Sequence, residues 1–146
     1  MNVRNYHIND LNALILIMKK NIPVYFAPSE IIDFITFLKS VEYHRYKVVE
    51  VEGQIIGGCG LLEQEGGIGK ISWIMFDPDY QRSGMGTNIV NALIEEYFKA
   101  GGSKVVAYTS NVAYLFFKKL GFQSVYSKAD YWGKGLDLVY MELMVK

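Results

Sequence analysis

Apolar residues recur along this chain at two spacings, and each spacing predicts one kind of secondary structure. Recurrence at every third or fourth residue in segments 11–18 and 31–38 predicts two amphipathic helices. The first would follow capping residues at 9–10 and end before Pro23, and the second would run to about Ser40. The pattern thus places two consecutive helices near the start of the chain.

The helical spacing returns twice in the second half of the chain. Apolar residues in segment 89–97 predict a helix that is closed by the glycine pair 101–102. Ser110 would cap a further helix that reaches Leu120 and ends at Gly121. A predicted strand precedes each of these two helices, at residues 71–76 and 104–108.

Strand signals occupy the remaining segments, as short runs of β-branched, aromatic and other apolar residues bounded by Gly, Asp or Pro. The predicted strands are residues 2–8, 46–51, 54–62, 71–76, 104–108, 122–126 and 138–145. The turn Glu52-Gly53 would join the second and third of them in an antiparallel hairpin. The order β-α-α-β-β-β-α-β-α-β-β predicts an α/β fold, with a mixed central sheet and helices on both faces, in a single domain over residues 1–146.

Charge and cysteine content narrow the classes of function. Fifteen basic residues balance fifteen acidic ones, and no Lys/Arg-rich stripe is visible, which argues against a nucleic-acid partner. Cys59 is the only cysteine, which excludes internal disulfides and multi-cysteine metal sites, and we expect no metal. Without a signal-like segment or an apolar run of about 18 residues, we expect no membrane partner and a cytoplasmic location.

The sequence QRSGMG, at residues 81–86, lies between a predicted strand and a predicted helix. Glycines there let backbone N–H groups surround an anion at the positive end of the helix. A pyrophosphate would lie over the amides of residues 82–87, with Arg82 as a counter-charge. A dinucleotide loop needs a third glycine and a P-loop needs Gly-Lys-Ser/Thr, and both are absent. A plain strand-to-helix turn explains the glycines equally well, so the loop alone leaves both interpretations open.

Two motifs, correctly spaced, give this loop a context. Residues 73–86, with their Gln-x-x-Gly-x-Gly in register, resemble the acyl-CoA motif of the GNAT N-acetyltransferases. Residues 113–122, AYLFFKKLGF, look like the second motif of that family. The predicted order of elements matches the GNAT fold, and segments 109–111 and 135–141 are similar to a bacterial subgroup. The resemblance therefore covers nearly the whole chain.

The resemblance implies an enzyme that transfers an acetyl group from acetyl-CoA directly to a primary amine of a small molecule or peptide. The pantetheine arm would lie where the strand before Pro78 separates from its neighbour after Ala107, against the backbone of Ile74 and Phe76. An N–H near Phe76 would polarise the thioester carbonyl, which makes Phe76 an implied catalytic position. The other implied cofactor-binding residues are Gln81, Arg82, Ser83, Gly84, Met85, Gly86, Thr87, Asn111 (or its neighbour Ser110) and Phe117.

The chain departs from the family pattern at two catalytic positions. A tyrosine often protonates the leaving thiolate at the position of Phe117, so Tyr114, three residues earlier on the same helix face, is the predicted substitute. Packing in the core is the competing interpretation of Tyr114. An acid that is frequent near the start of strand 71–76 is Lys70 here. The candidates for the general base are Glu63, the one we select, with Asp77 and Asp130 as alternatives.

The acceptor amine would bind between the first two helices, the loop around Tyr25 and Phe26, and a loop at 127–135 that carries Tyr131 and Trp132. These segments are aromatic and poor in charge clusters, which favours a small, partly apolar amine. Because catalytic positions are altered, a second hypothesis stays open: a GNAT-fold module that binds acyl-CoA with weak or no transferase activity. The sequence also leaves room for a homodimer.

Overall fold

The chain folds into the predicted order of elements in the computed structural model, which describes residues 2–146 except for the side chains of residues 81–83. The helices are α1 (Leu11–Lys20), α2 (Glu30–Ser40), α3 (Met85–Lys99) and α4 (Tyr114–Lys119). The strands are β1 (Asn2–Asn5), β2 (Tyr46–Val51), β3 (Gln54–Gln64), β4 (Ile68–Phe76), β5 (Lys104–Ser110), β6 (Gln123–Gly133) and β7 (Leu136–Met144). Short 3-10 turns cover Ile8–Asp10, Tyr43–Arg45 and Pro78–Ser83.

The seven described strands form one mixed sheet in the order β1-β2-β3-β4-β5-β7-β6. Every neighbouring pair is antiparallel except β4 and β5, which run parallel and are joined through α3. A parallel pair requires a long crossover, and the helix predicted after the glycine loop supplies it. The sheet therefore changes its pairing direction at the strand that leads into that loop.

Helices cover both faces of the sheet, as predicted. Leu14 and Phe34, from α1 and α2, pack with Val48 of β2 on one face. The next residue of β2, Val49, packs with Ile89 of α3 on the other face, because successive strand side chains point in opposite directions. Among the described residues, no helix combines the length and the apolar character needed to cross a bilayer.

The hairpin between β2 and β3 confirms the turn predicted at Glu52-Gly53. Both residues have positive φ, at 51° and 78°, which is the conformation of the two-residue turn that matches strand twist. Cys59 lies in the middle of β3 and is fully buried, as expected for a small core residue. The first half of the sheet is therefore built as its sequence pattern indicates.

The prediction of a loop at 127–135 is wrong, because β6 continues to Gly133. Most residues of β6 are exposed, so the strand lacks the alternation of buried and exposed positions that makes strands recognisable. Its pairing with β7 shifts register between Lys128 and Gly133, where Asp130 has a φ of 53°. An exposed edge strand with an irregular register gives little signal in the sequence.

Other boundaries differ from the prediction by a few residues. β1 ends at Asn5 instead of residue 8, because Ile8–Asp10 forms a 3-10 turn closed by a capping box between His7 and Asp10. Ser110 belongs to β5 and not to a helix, although its Oγ accepts a hydrogen bond from the Ala113 N–H at 3.2 Å. The helix predicted from Ser110 therefore begins only at α4, after a turn.

Candidate active site

The two parallel strands separate in the middle of the sheet. The described pairing between β4 and β5 ends at Ile71 and Ala107. Beyond that point β4 pairs with β3, and β5 pairs with β7. Two strand edges consequently face each other across an opening, which is the arrangement to which an extended ligand can add.

A β-bulge lies in β4 directly after the point of separation. Gly58 pairs with Met75 and Gly60 with Ser72, so β4 has one more residue than β3 in this interval. Trp73, inside the bulge, has a φ of 51°, which is uncommon for a residue other than glycine. The Tyr46 hydroxyl donates a 2.6 Å hydrogen bond to the Trp73 carbonyl and holds this conformation. Bulges bend a strand and re-aim its side chains, so this one contributes to the opening.

The opening widens into a cavity of about 780 Å³ that is lined from both faces of the sheet. On the side of α3 and α4, the lining includes residues 84–87, Phe116 and Lys119. On the side of α1 and α2, it includes residues of the α1–α2 loop and of β6. We call these two sides the donor mouth and the acceptor mouth, after the substrates that the sequence resemblance implies for each. The cavity thus passes through the sheet at the split between β4 and β5.

The glycines of the donor mouth have separate roles. Gly84 has a φ of 72° and precedes α3 as its N-cap, a left-handed conformation that glycine adopts at no cost. A Cβ at Gly84 would meet no atom within 4 Å, so backbone conformation and not space requires glycine here. A Cβ at Gly86 would lie 3.2 Å from the Phe76 ring and 3.4 Å from the Phe116 ring, so this residue allows close packing.

The predicted donor residues that the structure describes, with the exception of Asn111, gather at this end of the cavity. Gly84, Met85, Gly86 and Thr87 line it, together with Ile74, Phe76, Ser110 and Phe117. The side chains of Gln81, Arg82 and Ser83 lie outside the described residues, and their roles stay predictions. Lys119, in the last turn of α4, also lines this mouth and adds a positive charge.

Asp77, one of the candidate bases, anchors the segment that leads into the glycine turn. Its carboxylate is buried and forms an ion pair with Lys20 at 2.9 Å, and it also accepts a hydrogen bond from the Asp79 N–H at 3.1 Å. Burial raises the pKa of Asp77, but the bonds from Lys20 and Asp79 outweigh it and leave the pKa below its ordinary value. Asp77 is therefore an ionised structural group that connects α1 to the donor mouth.

Aromatic side chains dominate the acceptor mouth. Tyr25 and Phe26 come from the α1–α2 loop, Trp73 from the bulge, and Tyr131 and Trp132 from β6. The rings of Phe26 and Trp73 stack with their centroids 6.2 Å apart, and the rings of Tyr131 and Trp132 meet edge to face at 4.9 Å. All of them except Trp73 are residues predicted for the acceptor, and the structure brings them together at one mouth.

The α1–α2 loop and the β6–β7 hairpin meet at this mouth. A Cβ added to Gly133 would lie 3.0 Å from the Ala27 Cβ, a distance that leaves no room for a larger residue. The Trp132 indole N–H donates a 3.0 Å hydrogen bond to the Thr109 carbonyl, which fastens the hairpin to the end of β5. The acceptor mouth is therefore a rim built from three separate segments.

Glu30, at the first position of α2, also lines the cavity and was not predicted from the sequence. The residue is 8% exposed, and its Oε2 accepts a 2.8 Å hydrogen bond from the Ala27 N–H. Burial raises the pKa of Glu30, the hydrogen bond from Ala27 opposes that change, and the charge of Asp33 adds to it, with a net increase. The only sequence signal for Glu30 is a carboxylate at the start of a predicted helix, a few residues after the aromatic pair Tyr25-Phe26.

The structure does not bring the other predicted catalytic residues into the cavity. Tyr114 is partly buried against the core cluster that contains Phe117. Glu63 is exposed and pairs with Gly69, on the closed side of the split. Neither residue is among those that line the cavity, and the same holds for Asp130. Their catalytic roles stay predictions that receive no support from this placement.

Asn111, expected to face the cofactor, instead binds the β6–β7 hairpin. Its Oδ1 accepts a hydrogen bond from the Asp137 N–H at 2.9 Å, and its Nδ2 donates one to the Gly135 carbonyl at 3.4 Å. Asp130 accepts from the Gly135 N–H at 2.8 Å, and Asp137 accepts from the Asp130 N–H at 2.9 Å. These four bonds hold the hairpin that carries Tyr131 and Trp132.

Several solved structures share this fold. The ribosomal-protein-S18-alanine N-acetyltransferase of Escherichia coli is 20% identical, with a TM-score of 0.80 over 99% of this chain and 94% of that one. An aminoglycoside 6'-N-acetyltransferase solved with coenzyme A is 15% identical, with a TM-score of 0.75 over 99% and 97%. A Salmonella typhimurium protein solved with acetyl-CoA as its cofactor is 19% identical, with a TM-score of 0.74 over 100% and 94%.

At these identities the similarity establishes the fold alone. The acceptors of those enzymes are not assigned to this chain. No curated protein sequence matches the chain significantly. The family model described as the acetyltransferase (GNAT) family matches residues 13–122, which is most of the chain and includes most of α1 and the glycine turn. The matched segment also contains the strands that separate to form the cavity. The chain therefore belongs to the GNAT acetyltransferase family.

Proposed function

We propose that the protein transfers the acetyl group of acetyl-CoA to a primary amine of a small molecule or peptide. The observation that carries the proposal is a single cavity that joins a helix N-terminus, through a split between parallel strands, to an aromatic mouth on the opposite face. A donor and an acceptor that enter from opposite sides would meet at the split. The reaction needs such a meeting point because the acetyl group passes directly from sulfur to nitrogen.

The donor mouth fits the pyrophosphate of acetyl-CoA. Backbone N–H groups at the first turn of α3 offer hydrogen bonds and the positive end of the helix dipole to an anion. Gly84 leaves space beside this turn, and Lys119 adds a positive charge to the same mouth. Gln81, Arg82 and Ser83 belong to this proposal by their place in the sequence. Two structures of this fold were solved with coenzyme A or acetyl-CoA, which supports the assignment.

The split between β4 and β5 fits the extended pantetheine arm. An elongated amide-containing chain can run along a strand edge as an added strand does. Ile74 and Phe76 line the cavity on the β4 side, and Phe117 closes it on the α4 side with a buried ring. The thioester would then lie near the bulge, where the acceptor mouth begins.

Phe117 favours a second candidate function, an acyl-CoA-binding module with weak or no transferase activity. Phenylalanine cannot donate a proton to a leaving thiolate, and Tyr114 does not line the cavity. A thiolate leaves more readily near neutral pH than an alkoxide does, since thiol pKa values lie near 8.5. Loss of the acid would therefore slow turnover without preventing it.

Two measurements test the proposal. Calorimetry with acetyl-CoA, and with NAD as the comparison, tests the donor, and binding of NAD without binding of acetyl-CoA would refute it. Thiol release from acetyl-CoA across a panel of primary amines tests the transfer. Binding of acetyl-CoA with no amine-dependent thiol release across the panel would favour the binding module instead.

A further inference from the structure

A single carboxylate reaches the acceptor mouth from the start of α2. Glu30 is buried and lines the same cavity as Tyr25, Phe26 and Trp73. The cavity lining contains no other Asp or Glu among the described residues. A lone acid in an aromatic mouth is unusual enough to require an explanation, because burial of an ionised carboxylate is costly unless it is paired.

The capping hydrogen bond at the start of α2 involves only one of the two carboxylate oxygens of Glu30. Oε2 accepts the Ala27 N–H, in the way a Glu or Gln reaches back to the start of a helical turn. Oε1 makes no hydrogen bond to any described residue, and neither a Lys nor an Arg forms an ion pair with Glu30 within the part of the chain that the structure describes. Glutamine would provide the same cap without a charge. The helix dipole favours a negative charge at this end of α2, and the second carboxylate oxygen is available to a ligand in the cavity.

We propose that Glu30 is the residue that binds the acceptor ammonium and removes its proton, and that the acceptor is a primary amine attached to an apolar or aromatic group. This inference rests on the proposed acetyl transfer. The carboxylate supplies the one charge complementary to an ammonium at this mouth, and the rings of Tyr25, Phe26 and Trp73 supply cation–π and apolar contacts. Glu63, selected from the sequence, lies outside the cavity.

The proposed step balances in protons and electrons. The ammonium gives one proton to the Glu30 carboxylate, and its freed lone pair forms the N–C bond to the acetyl carbonyl carbon. The C–S bond breaks, and its electron pair leaves on the sulfur of coenzyme A. The nitrogen then loses a second proton, which matches the proton that the thiolate takes up, so the net release is one proton to solvent through Glu30.

The environment of Glu30 suits a general base. Burial and the charge of Asp33 raise its pKa against the opposing hydrogen bond from Ala27, which brings the carboxylate closer to the operating pH. The other titratable groups that line the cavity, among the described residues, are Tyr25, Lys70, Tyr80, Tyr108, Lys119 and Tyr131. The Lys70 ammonium lies 5.0 Å from the centre of the Tyr108 ring and forms no ion pair with Glu30.

Glu30→Gln tests the proposal, because the amide oxygen can still accept the Ala27 N–H. We expect kcat/KM for phenethylamine to fall by roughly 100-fold or more at neutral pH, in line with the usual contribution of a general base. The Kd of acetyl-CoA should stay unchanged. In the variant, the acid limb set by Glu30 should be replaced by a rise that follows the pKa of the amine, so the deficit should narrow towards about pH 10, where a primary alkyl amine loses its proton without help.

Asp33→Asn is the matched control on the same helix. Asp33 is exposed and does not line the cavity, so its neutral variant should keep wild-type kcat. Because the charge of Asp33 raises the pKa of Glu30, removal of that charge should move the acid limb to lower pH. If Glu30 had only a structural role, the wild type and the Asp33→Asn variant would have the same pH profile.

The outcomes separate this inference from the proposed function. Wild-type activity on phenethylamine with an equally active Glu30→Gln variant would overturn the role of Glu30 and leave the transferase proposal intact. Wild-type protein that binds acetyl-CoA but acetylates no amine in the panel would refute the transferase proposal itself. A loss of activity in Glu30→Gln accompanied by weaker acetyl-CoA binding would also overturn the assigned role, since the change would then act on the fold of the cavity.

A comparison of two primary amines tests the proposed class of acceptor. Phenethylamine and ethylamine carry the same ammonium and differ in the ring that the aromatic mouth would bury. Burial of a phenyl group removes more than 100 Å² of apolar surface from water, at about 25 cal/mol per Å², so we expect a preference of at least 10-fold in kcat/KM. Equal kcat/KM for the two amines would overturn the aromatic specificity.

Discussion

The donor mouth and the acceptor mouth of the same cavity are built in different ways. The donor mouth includes one continuous segment, in which β4 leads through a turn into α3, and we propose that it binds its ligand through the backbone N–H groups of that segment. The acceptor mouth is assembled from side chains of the α1–α2 loop, the β4 bulge and the β6–β7 hairpin. The first can be recognised in a sequence as a motif, whereas the second exists only after distant segments have met.

This difference predicts how each mouth responds to substitution. Backbone recognition depends on conformation and on the charge placed beside the helix N-terminus. Side-chain recognition depends on whether three segments keep their relative positions. A change at one mouth should therefore alter the affinity for one substrate and leave the other substrate unaffected, and the following predictions apply that criterion from the largest expected effect to the smallest.

Replacement of Gly84 by Asp should have the largest effect. A carboxylate at the N-cap of α3 would oppose the pyrophosphate, and repulsion between charges about 4 Å apart is worth several kcal/mol at the effective dielectric near a protein surface. We expect the Kd of acetyl-CoA, measured by calorimetry, to rise at least 100-fold. The affinity for the amine should not change.

Gly84→Asn provides the matched control. Asn and Asp have nearly the same shape, both tolerate positive φ better than other residues, and a Cβ at this position meets no atom within 4 Å. Only the charge differs between the two variants. Equal loss of acetyl-CoA affinity in both would show that the turn conformation, and not a bound phosphate, accounts for the glycine.

Replacement of Gly133 by Val addresses the acceptor mouth. Gly133 is where the hairpin touches Ala27, and a Cβ there already lies at 3.0 Å, so a branched side chain must force the two segments apart. We expect a decrease of roughly 10-fold in kcat/KM for the amine, with acetyl-CoA affinity retained. Reduced affinity for acetyl-CoA would contradict the separation of the two mouths.

Replacement of Asn111 by Ala distinguishes two roles for this residue. If Asn111 contacted the cofactor, as the sequence predicted, the Kd of acetyl-CoA would rise. The hydrogen bonds to Gly135 and Asp137 lead us to expect instead a several-fold increase in the KM of the amine, since each lost hydrogen bond is worth about 1 kcal/mol. Calorimetry and steady-state kinetics on the same variant give the two values.

The fold and the donor mouth could be predicted from the sequence because their signals are local. Helical spacing, the Glu52-Gly53 turn and the Gly84–Gly86 segment each occupy a few consecutive residues. The structure confirms the order of elements, and it places Gly84 and Gly86 beside the split. Where the backbone requires a left-handed conformation, as at Gly84, the sequence shows a glycine at that one position.

The acceptor mouth could be predicted only in part, because its members meet through the tertiary structure. Composition predicts Tyr25, Phe26, Tyr131 and Trp132, yet the sequence predicts a loop where a strand carries the last two. A single acid at a helix start is ordinary in a sequence, so only its burial in the cavity distinguishes Glu30. Burial is a property of the folded chain and has no local signature.

The smallest expected effect concerns Tyr114, which periodicity placed on the same helix face as Phe117. The two residues are neighbours on α4, but Phe117 lines the cavity and Tyr114 does not, because its ring packs against the core cluster. We therefore expect Tyr114→Phe to keep kcat within about twofold of the wild type, since a general acid would contribute 100-fold or more. A fall of that size without a change in Tm would restore Tyr114 as the acid and would show that α4 moves when both substrates are bound.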